Sequence, residues 1–190
     1  MRLVLATRNA HKAQEFELLL PGHEIVPLPD HVVLPPETGE TFEDNAFIKA
    51  MAAVTALDVP AIADDSGIVS EALGGRPGVY SARFAGPDAT DAENLAKLLA
   101  EAPAGSALAY VCALVYVDPS DGTAIPFEGR CTGVLDDRPR GDGGFGYDPA
   151  FRPDDIADGR TMAELTPEEK AAISHRGRAA RELGAWLATR

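Results

Sequence analysis

Two adjacent carboxylates, Asp64 and Asp65, close the short apolar run Pro60-Ala61-Ile62-Ala63 and are followed by a hydroxyl and a glycine, Ser66 and Gly67. The run reads as a buried strand bounded by turn signals. Side chains alternate along a strand, so if the strand reaches that far the two acids point opposite ways and only one need face a cleft. Ligands are expected at the carboxyl end of a strand in an α/β protein. A carboxylate there suits a hard cation such as Mg²⁺, which takes oxygen ligands and arrives with phosphate. The bland alternative is a solvated turn with helix-capping aspartates.

Three other stretches carry residue types that do chemistry. Thr7-Arg8-Asn9-Ala10-His11-Lys12 lies between an apolar run and a helical pattern. A helix N-terminus offers unpaired N–H groups and a positive dipole end, a seat for phosphate. Thr7 and Asn9 add short polar groups and Lys12 a mobile charge, although the glycines of a Walker loop are missing. On these residues alone, Asn9 as a helix cap and Lys12 as a solvated cation is the more economical reading. Gly141-Asp142-Gly143-Gly144-Phe145-Gly146-Tyr147-Asp148-Pro149 places four glycines around one ring. A presented aromatic beside an acid can hold a flat base by stacking and edge hydrogen bonds. Ser174-His175-Arg176-Gly177 interrupts a helical pattern with two donors side by side.

The elements that must position these groups can be read from periodicity. Leu3 to Ala6 reads as a strand, and Ala13, Phe16, Leu19 and Leu20 mark a helix stopped by Pro21-Gly22. Glu24 to Leu28 is a weak second strand, and Asp30 to Glu40 is a proline-rich loop. Thr41 opens a helix, with Asp44 completing an imperfect capping box, that runs to about Ala56. Asn45 and Lys49 lie one turn apart on it and could face one cleft, though surface placement is the commoner case. The glycines around Pro77 mark a shaped loop; Arg76 there is expected to pair with a carboxylate. Thr90 and Glu93 form a capping box, Ala107 to Val117 and Thr123 to Val134 read as a hairpin, and Thr166-Pro167-Glu168-Glu169 starts a further helix. The hairpin would make the sheet mixed.

Composition narrows the partners. The chain has 190 residues, 45% of them hydrophobic, and a net charge of −13. That charge disfavours a nucleic acid polymer or a membrane surface, each of which needs a cationic footprint. Two cysteines, Cys112 and Cys131, make neither a disulfide framework nor a zinc site and fit a reducing, cytoplasmic setting. No apolar stretch reaches membrane-spanning length, and the N-terminus shows no signal-peptide pattern.

Taken in order, these blocks resemble the inosine triphosphate pyrophosphatase family. The matching residues are Thr7-x-Asn9-x-x-Lys12, Thr38-Gly39-x-Thr41-Phe42-x-x-Asn45-Ala46 and Ala63-Asp64-Asp65-Ser66-Gly67. Further matches are Leu73-Gly74-Gly75-x-Pro77-Gly78-x-Tyr80-Ser81-Ala82-Arg83, Gly143-Gly144-Phe145-Gly146-Tyr147-Asp148-Pro149, Ala163-Glu164-Leu165 and Glu169-Lys170-x-x-Ile173-Ser174-His175-Arg176-Gly177. The resemblance implies one domain over residues 1–190. Its fold would be an elongated, two-lobed α/β protein on a long mixed β-sheet flanked by helices, with the active cleft between the lobes. It implies Mg²⁺-dependent hydrolysis of non-canonical purine nucleoside triphosphates (ITP, dITP, XTP) to the monophosphate and pyrophosphate, and a homodimer. Asp65 would be the proton acceptor and a metal ligand, and Ser66 would touch substrate. Thr7, Arg8, Asn9, Ala10, His11 and Lys12 would hold the triphosphate. Phe145 would stack the purine, with Gly146, Tyr147 and Asp148 completing that wall. Lys170, His175 and Arg176 would contact phosphate and the base edge. Arg8 stands where many relatives carry Gly, His11 where a small residue is common, and Pro36 where many carry an acid. Glu37 is the candidate second metal ligand, with Glu40 in reserve. A Maf-like pyrophosphatase of other specificity and a nucleotide-binding module without turnover are the rival readings.

Overall fold

The computed structural model describes residues 1–190. Six strands form one mixed sheet in the order β2-β1-β3-β4-β5-β6. β1 (Arg2–Leu5) pairs in parallel with both β2 (Glu24–Pro27) and β3 (Ala61–Ser70). β4 (Ala107–Asp118) and β5 (Thr123–Leu135) are neighbours joined by the turn at residues 119–122, and β6 (Phe151–Pro153) pairs antiparallel with β5. The expected hairpin and mixed sheet are therefore present. Helices α1 (Ala10–Leu19), α2 (Phe42–Leu57), α3 (Asp91–Glu101), α4 (Pro167–Ile173) and α5 (His175–Leu187) flank it. No helix is long and apolar enough to cross a membrane.

The chain divides into two compact units whose boundaries fall within β3, β4, β5 and the first turn of α5. The first comprises residues 1–65, 112–129 and 176–190. Strand alternation sorts its apolar residues into two cores. Leu3, Leu5, Ile62, Leu114 and Tyr116 pack with Phe16 and Leu20 from the α1 side and with Ala179, Leu183 and Leu187 of α5. Val4, Ala6, Ala61, Ala63, Val115 and Val117 pack with Ala46, Ala50, Ala53 and Val54 of α2. Asp64 shares the parity of Ile62, and Asp65 that of Ala61 and Ala63. The period of two thus sends adjacent carboxylates toward different helices.

The second unit comprises residues 66–111 and 130–175. Its single core joins Ile68, Leu98, Leu108, Tyr110, Leu135, Phe151 and Met162. One expectation is corrected by this unit. The acid pair does not terminate its strand; β3 continues through Gly67 to Ser70. Gly67 permits this because a Cβ there would collide with Ser81 Oγ and the Gly78 carbonyl, so the strand passes flush against the turn that carries Ser81. With the strand unbroken, Asp64 and Asp65 are both buried, which rules out a solvated capping turn.

Candidate active site

Two polar clusters, one in each unit, contain most of the residues singled out by the sequence. In the first, β1 delivers the chain into the loop at Thr7. Thr7 Oγ1 accepts a hydrogen bond from the Asn9 amide (3.2 Å). Asn9 is the N-cap of α1, its Oδ1 accepting from the amides of His11 (2.9 Å) and Lys12 (3.3 Å). Ala10 and His11 occupy the exposed first turn. Asn9 therefore has its structural part, but Lys12 is not a solvated cation. Its Nζ lies 3.0 Å from Asp64 Oδ2, and its side chain is only 12% exposed.

Asp64 is fully buried, and the same Oδ2 also accepts from Arg176 Nε at 3.0 Å. Arg176, at the start of α5, is 1% exposed and also pairs with Glu15. Burial works against the Asp64 carboxylate, but Lys12, Arg176 and Lys49 outweigh it and hold the group well below the usual carboxylate range. A depressed folded-state pKa adds stability above the ordinary value of 3.8, and that stability is lost as pH falls toward the folded value. The melting temperature of the wild type is expected to fall steeply below about pH 4, and that of Asp64→Asn less steeply. Melting curves across pH 2–7 read this directly; parallel slopes would remove Asp64 from the account.

Asp65 meets a different set. Its Oδ2 accepts from Asn45 Nδ2 (3.1 Å) and its Oδ1 from Lys49 Nζ (3.2 Å). Lys49 Nζ is also 2.6 Å from Glu37 Oε1, so one ammonium joins the two carboxylates. Asn45 Oδ1 accepts from the Gly39 amide at 2.8 Å, which fixes the segment carrying Glu37. Burial, with the Glu37 charge adding to it, raises the Asp65 pKa over the opposing pull of Lys49 and Lys12. Burial likewise opposes the Lys49 charge, but Asp65, Asp64 and Glu37 prevail and hold its pKa above the ordinary value. The neighbouring acids thus differ in environment: Lys12, Arg176 and Lys49 hold Asp64 below the usual carboxylate range, and burial pushes Asp65 above it.

Glu37 and Asp65 converge on one cationic position, the donor chemistry a hard divalent ion uses. Nowhere do three His, Cys, Asp or Glu side chains gather as a metal cage. Two carboxylates with the remaining oxygens from phosphate and water are what Mg²⁺ ordinarily takes, so the residues fit it. Glu40 is exposed, and no side-chain bond ties it to Asp65.

The second cluster centres on Asp148. Its Oδ1 accepts from the Tyr110 hydroxyl (2.9 Å), and its Oδ2 from Lys170 Nζ (2.7 Å) and the Phe145 amide (3.0 Å). Lys170 Nζ also lies 5.0 Å from the centre of the Phe145 ring. The loop that does this needs glycine. Gly144 has φ +70°, and a Cβ there would strike the Asp148 carboxylate. The Gly146 amide donates to Asp91 Oδ2 (2.9 Å), tethering the loop to α3. The His175 ring stacks on Tyr110 at 4.7 Å with 8° between the planes. Phe145 and Gly146 are half-buried, whereas Tyr147 is buried with its hydroxyl donating to the Ser81 carbonyl at 2.7 Å. Ser66, half-buried, comes directly after Asp65 on β3.

Some placements differ from the sequence expectation. The Arg8 guanidinium is engaged by backbone carbonyls of residues 28–32. Arg176 is enclosed by Asp64 and Glu15. Arg76 pairs with Glu101 at 3.4 Å, as expected. Asn45 and Lys49 are buried, not at the surface. A signal for them existed: Asn45, Lys49 and Ala53 fall on the same α2 face as Ala46 and Ala50, so that stripe carries polar groups into the interior. Tyr110 and Glu15 gave no such signal, because each is defined by a partner far away in the chain.

A model of the Ham1 family matches residues 3–186. A dITP/XTP pyrophosphatase of Geobacillus kaustophilus is 50% identical over 189 residues, covering 95% of this chain and 91% of the relative. One from Shigella flexneri is 48% identical, covering 94% and 93%. The solved structure of a HAM1 protein from Coxiella burnetii superposes with a TM-score of 0.88 at 38% identity, covering 100% of both chains.

Proposed function

The chain belongs to the Ham1 family, and from that premise we propose that it hydrolyses non-canonical purine nucleoside triphosphates such as dITP, ITP and XTP to the monophosphate and pyrophosphate. The observation that carries this reading is Asp65, a buried acid bonded to Asn45 and Lys49, with Glu37 meeting the same Lys49 ammonium. In the proposal the phosphates go to residues of the first cluster and the base to those of the second. The loop from Thr7 to Lys12, including the backbone of Arg8, Ala10 and His11, receives the triphosphate. Lys12 moves from Asp64 to a phosphate oxygen, exchanging one anionic partner for another. Asp65 accepts the proton of the water that attacks phosphorus, and Ser66 steadies the substrate. Lys12 and Lys49 offset the charge that grows on the departing pyrophosphate. Arg176, enclosed by Asp64 and Glu15, shapes the first cluster from behind. Mg²⁺, held by Asp65 and Glu37 when bound, supplies neutralisation of phosphate charge.

Base selection falls to Phe145 as the stacking face, with Gly146, Tyr147 and Asp148 as its wall. Lys170 and His175 are the donors at the edge. A 6-keto purine presents an acceptor where adenine presents a donor, so fixed donors accept the first and are left unpaired by the second. Homodimer formation and residence in the cytoplasm with the free nucleotides belong to the same proposal; light scattering of the purified chain reads the first.

The test is a turnover series with ITP, XTP, GTP and ATP in Mg²⁺, scored by monophosphate and pyrophosphate release. Preference for ITP and XTP supports the proposal; binding without pyrophosphate release would overturn it. Phe145→Ala is expected to raise KM for ITP by about tenfold or more, since stacking on one aromatic face contributes roughly 1–3 kcal/mol per base. An unchanged KM would take the ring out of base recognition.

A further inference from the structure

Arg8 interrupts the phosphate loop between Thr7 and Asn9, yet its side chain serves another segment. Nη1 donates to the Leu28 carbonyl (2.8 Å), and Nη2 to those of Pro29 (2.8 Å) and Val32 (2.6 Å), with Asp30 at 3.4 Å. The Asp30 carboxylate lies 3.7 Å from Nη1. Four carbonyls from five consecutive residues thus turn toward one guanidinium. Such a cluster repels itself unless a cation sits in it, and the planar fork of arginine is the side chain that meets several acceptors at once. The segment is fastened on its other side by Leu28 and Val32, both buried in the core against α2.

The next residues of the chain connect this contact to the acids. Leu34 packs against the same core, and Pro35-Pro36 lead directly to Glu37, whose carboxylate meets Lys49 beside Asp65. Proline fixes φ, so little slack separates residue 34 from Glu37. We propose that Arg8 is a positioning residue that ties the phosphate loop to the strap of residues 28–37, and that it acts on the reaction through the Glu37 carboxylate rather than by touching phosphate. This rests on the proposed role of Glu37 as a metal ligand.

Arg8 is partly exposed, so its variants should fold. The experiment compares wild type, Arg8→Ala and Arg8→Lys by three measurements: the Mg²⁺ concentration for half-maximal ITP turnover, KM for ITP at saturating Mg²⁺, and amide hydrogen exchange over residues 28–37 in the metal-free protein. Loss of a group that orients a metal ligand typically weakens metal affinity by about 10–100-fold. Arg8→Ala is therefore expected to need about tenfold more Mg²⁺, with KM for ITP raised less than about twofold and exchange of the strap faster by about tenfold. Arg8→Lys, which donates from a single point, should fall between. A tenfold rise in KM with an unchanged Mg²⁺ requirement would overturn the proposal in favour of a phosphate contact. Unchanged exchange together with an unchanged Mg²⁺ requirement would overturn it outright. A wild type without ITP turnover would refute the proposed function instead. Strap exchange and calorimetric Mg²⁺ binding to Arg8→Ala would then decide the role of Arg8, weakened binding supporting it and unaltered binding overturning it.

Discussion

Replacing Asp65 with alanine is expected to lower kcat/KM for ITP by about a thousandfold or more while leaving the protein folded. A positioned general base, the role proposed for Asp65, contributes about 10²–10⁴-fold, and this substitution also removes one of the two carboxylates proposed to hold Mg²⁺. Asp65→Asn is the sharper variant. It keeps the shape, but it cannot take a proton, and its single oxygen can accept from Asn45 or Lys49 and not from both. Asp65→Ala should change stability little, because burial already opposes the Asp65 charge and Glu37 remains as a partner for Lys49, whereas Asp65→Asn turns an N–H toward one of two donors and should melt lower. Pyrophosphate release gives the rate and a melting curve the fold. A variant that retained activity within tenfold of wild type, with the melt unchanged, would remove Asp65 from the chemistry.

The largest loss of stability is expected from Arg176→Met. Arg176 is nearly inaccessible and holds Asp64 and Glu15 together. Removing one partner of a buried ion pair costs about 3–5 kcal/mol, because the other charge is left uncompensated. In a chain of this size that lowers Tm by about 10 °C. Lys12 would still face Asp64, so the loss should sit toward the lower end of that range. The double variant Asp64→Leu/Arg176→Met separates a buried charge problem from simple loss of packing. It should melt above Arg176→Met alone, but by less than the full cost of a buried unpaired charge, since Asp64 is gone and Lys12 loses its partner. Equal melting of wild type and Arg176→Met would show that the pair contributes no net stability.

Legibility in the sequence tracked distance along the chain. The caps Thr41/Asp44, Thr90/Glu93 and Thr166/Glu169 are decided within four residues, and all three form as capping boxes. The helix break at Ser174 is present for the same reason, its backbone being extended between α4 and α5. The alternation of Asp64 and Asp65 came from strand geometry alone. Partnerships across the fold were not legible. Asp64 and Arg176 are 112 residues apart, and Arg8 and Val32 are 24 apart. A guanidinium in a phosphate-like loop suggests phosphate until the carbonyls of residues 28–32 are seen to surround it. The burial of Asn45 and Lys49 depended on which face of α2 met the sheet, and an alanine-rich helix leaves that weakly marked. The strand's continuation past the acids needed the close approach of Ser81 to Gly67, a contact between segments the sequence does not pair.

The ammonium of Lys49, seated between Glu37 and Asp65, already neutralises part of their charge. The folded chain carries its own counter-ion for the two acids, so assembly need not wait for a divalent salt. Chelators such as EDTA should silence the enzyme yet leave its thermal midpoint where it was, and activity should return on dialysis into magnesium chloride without any refolding step.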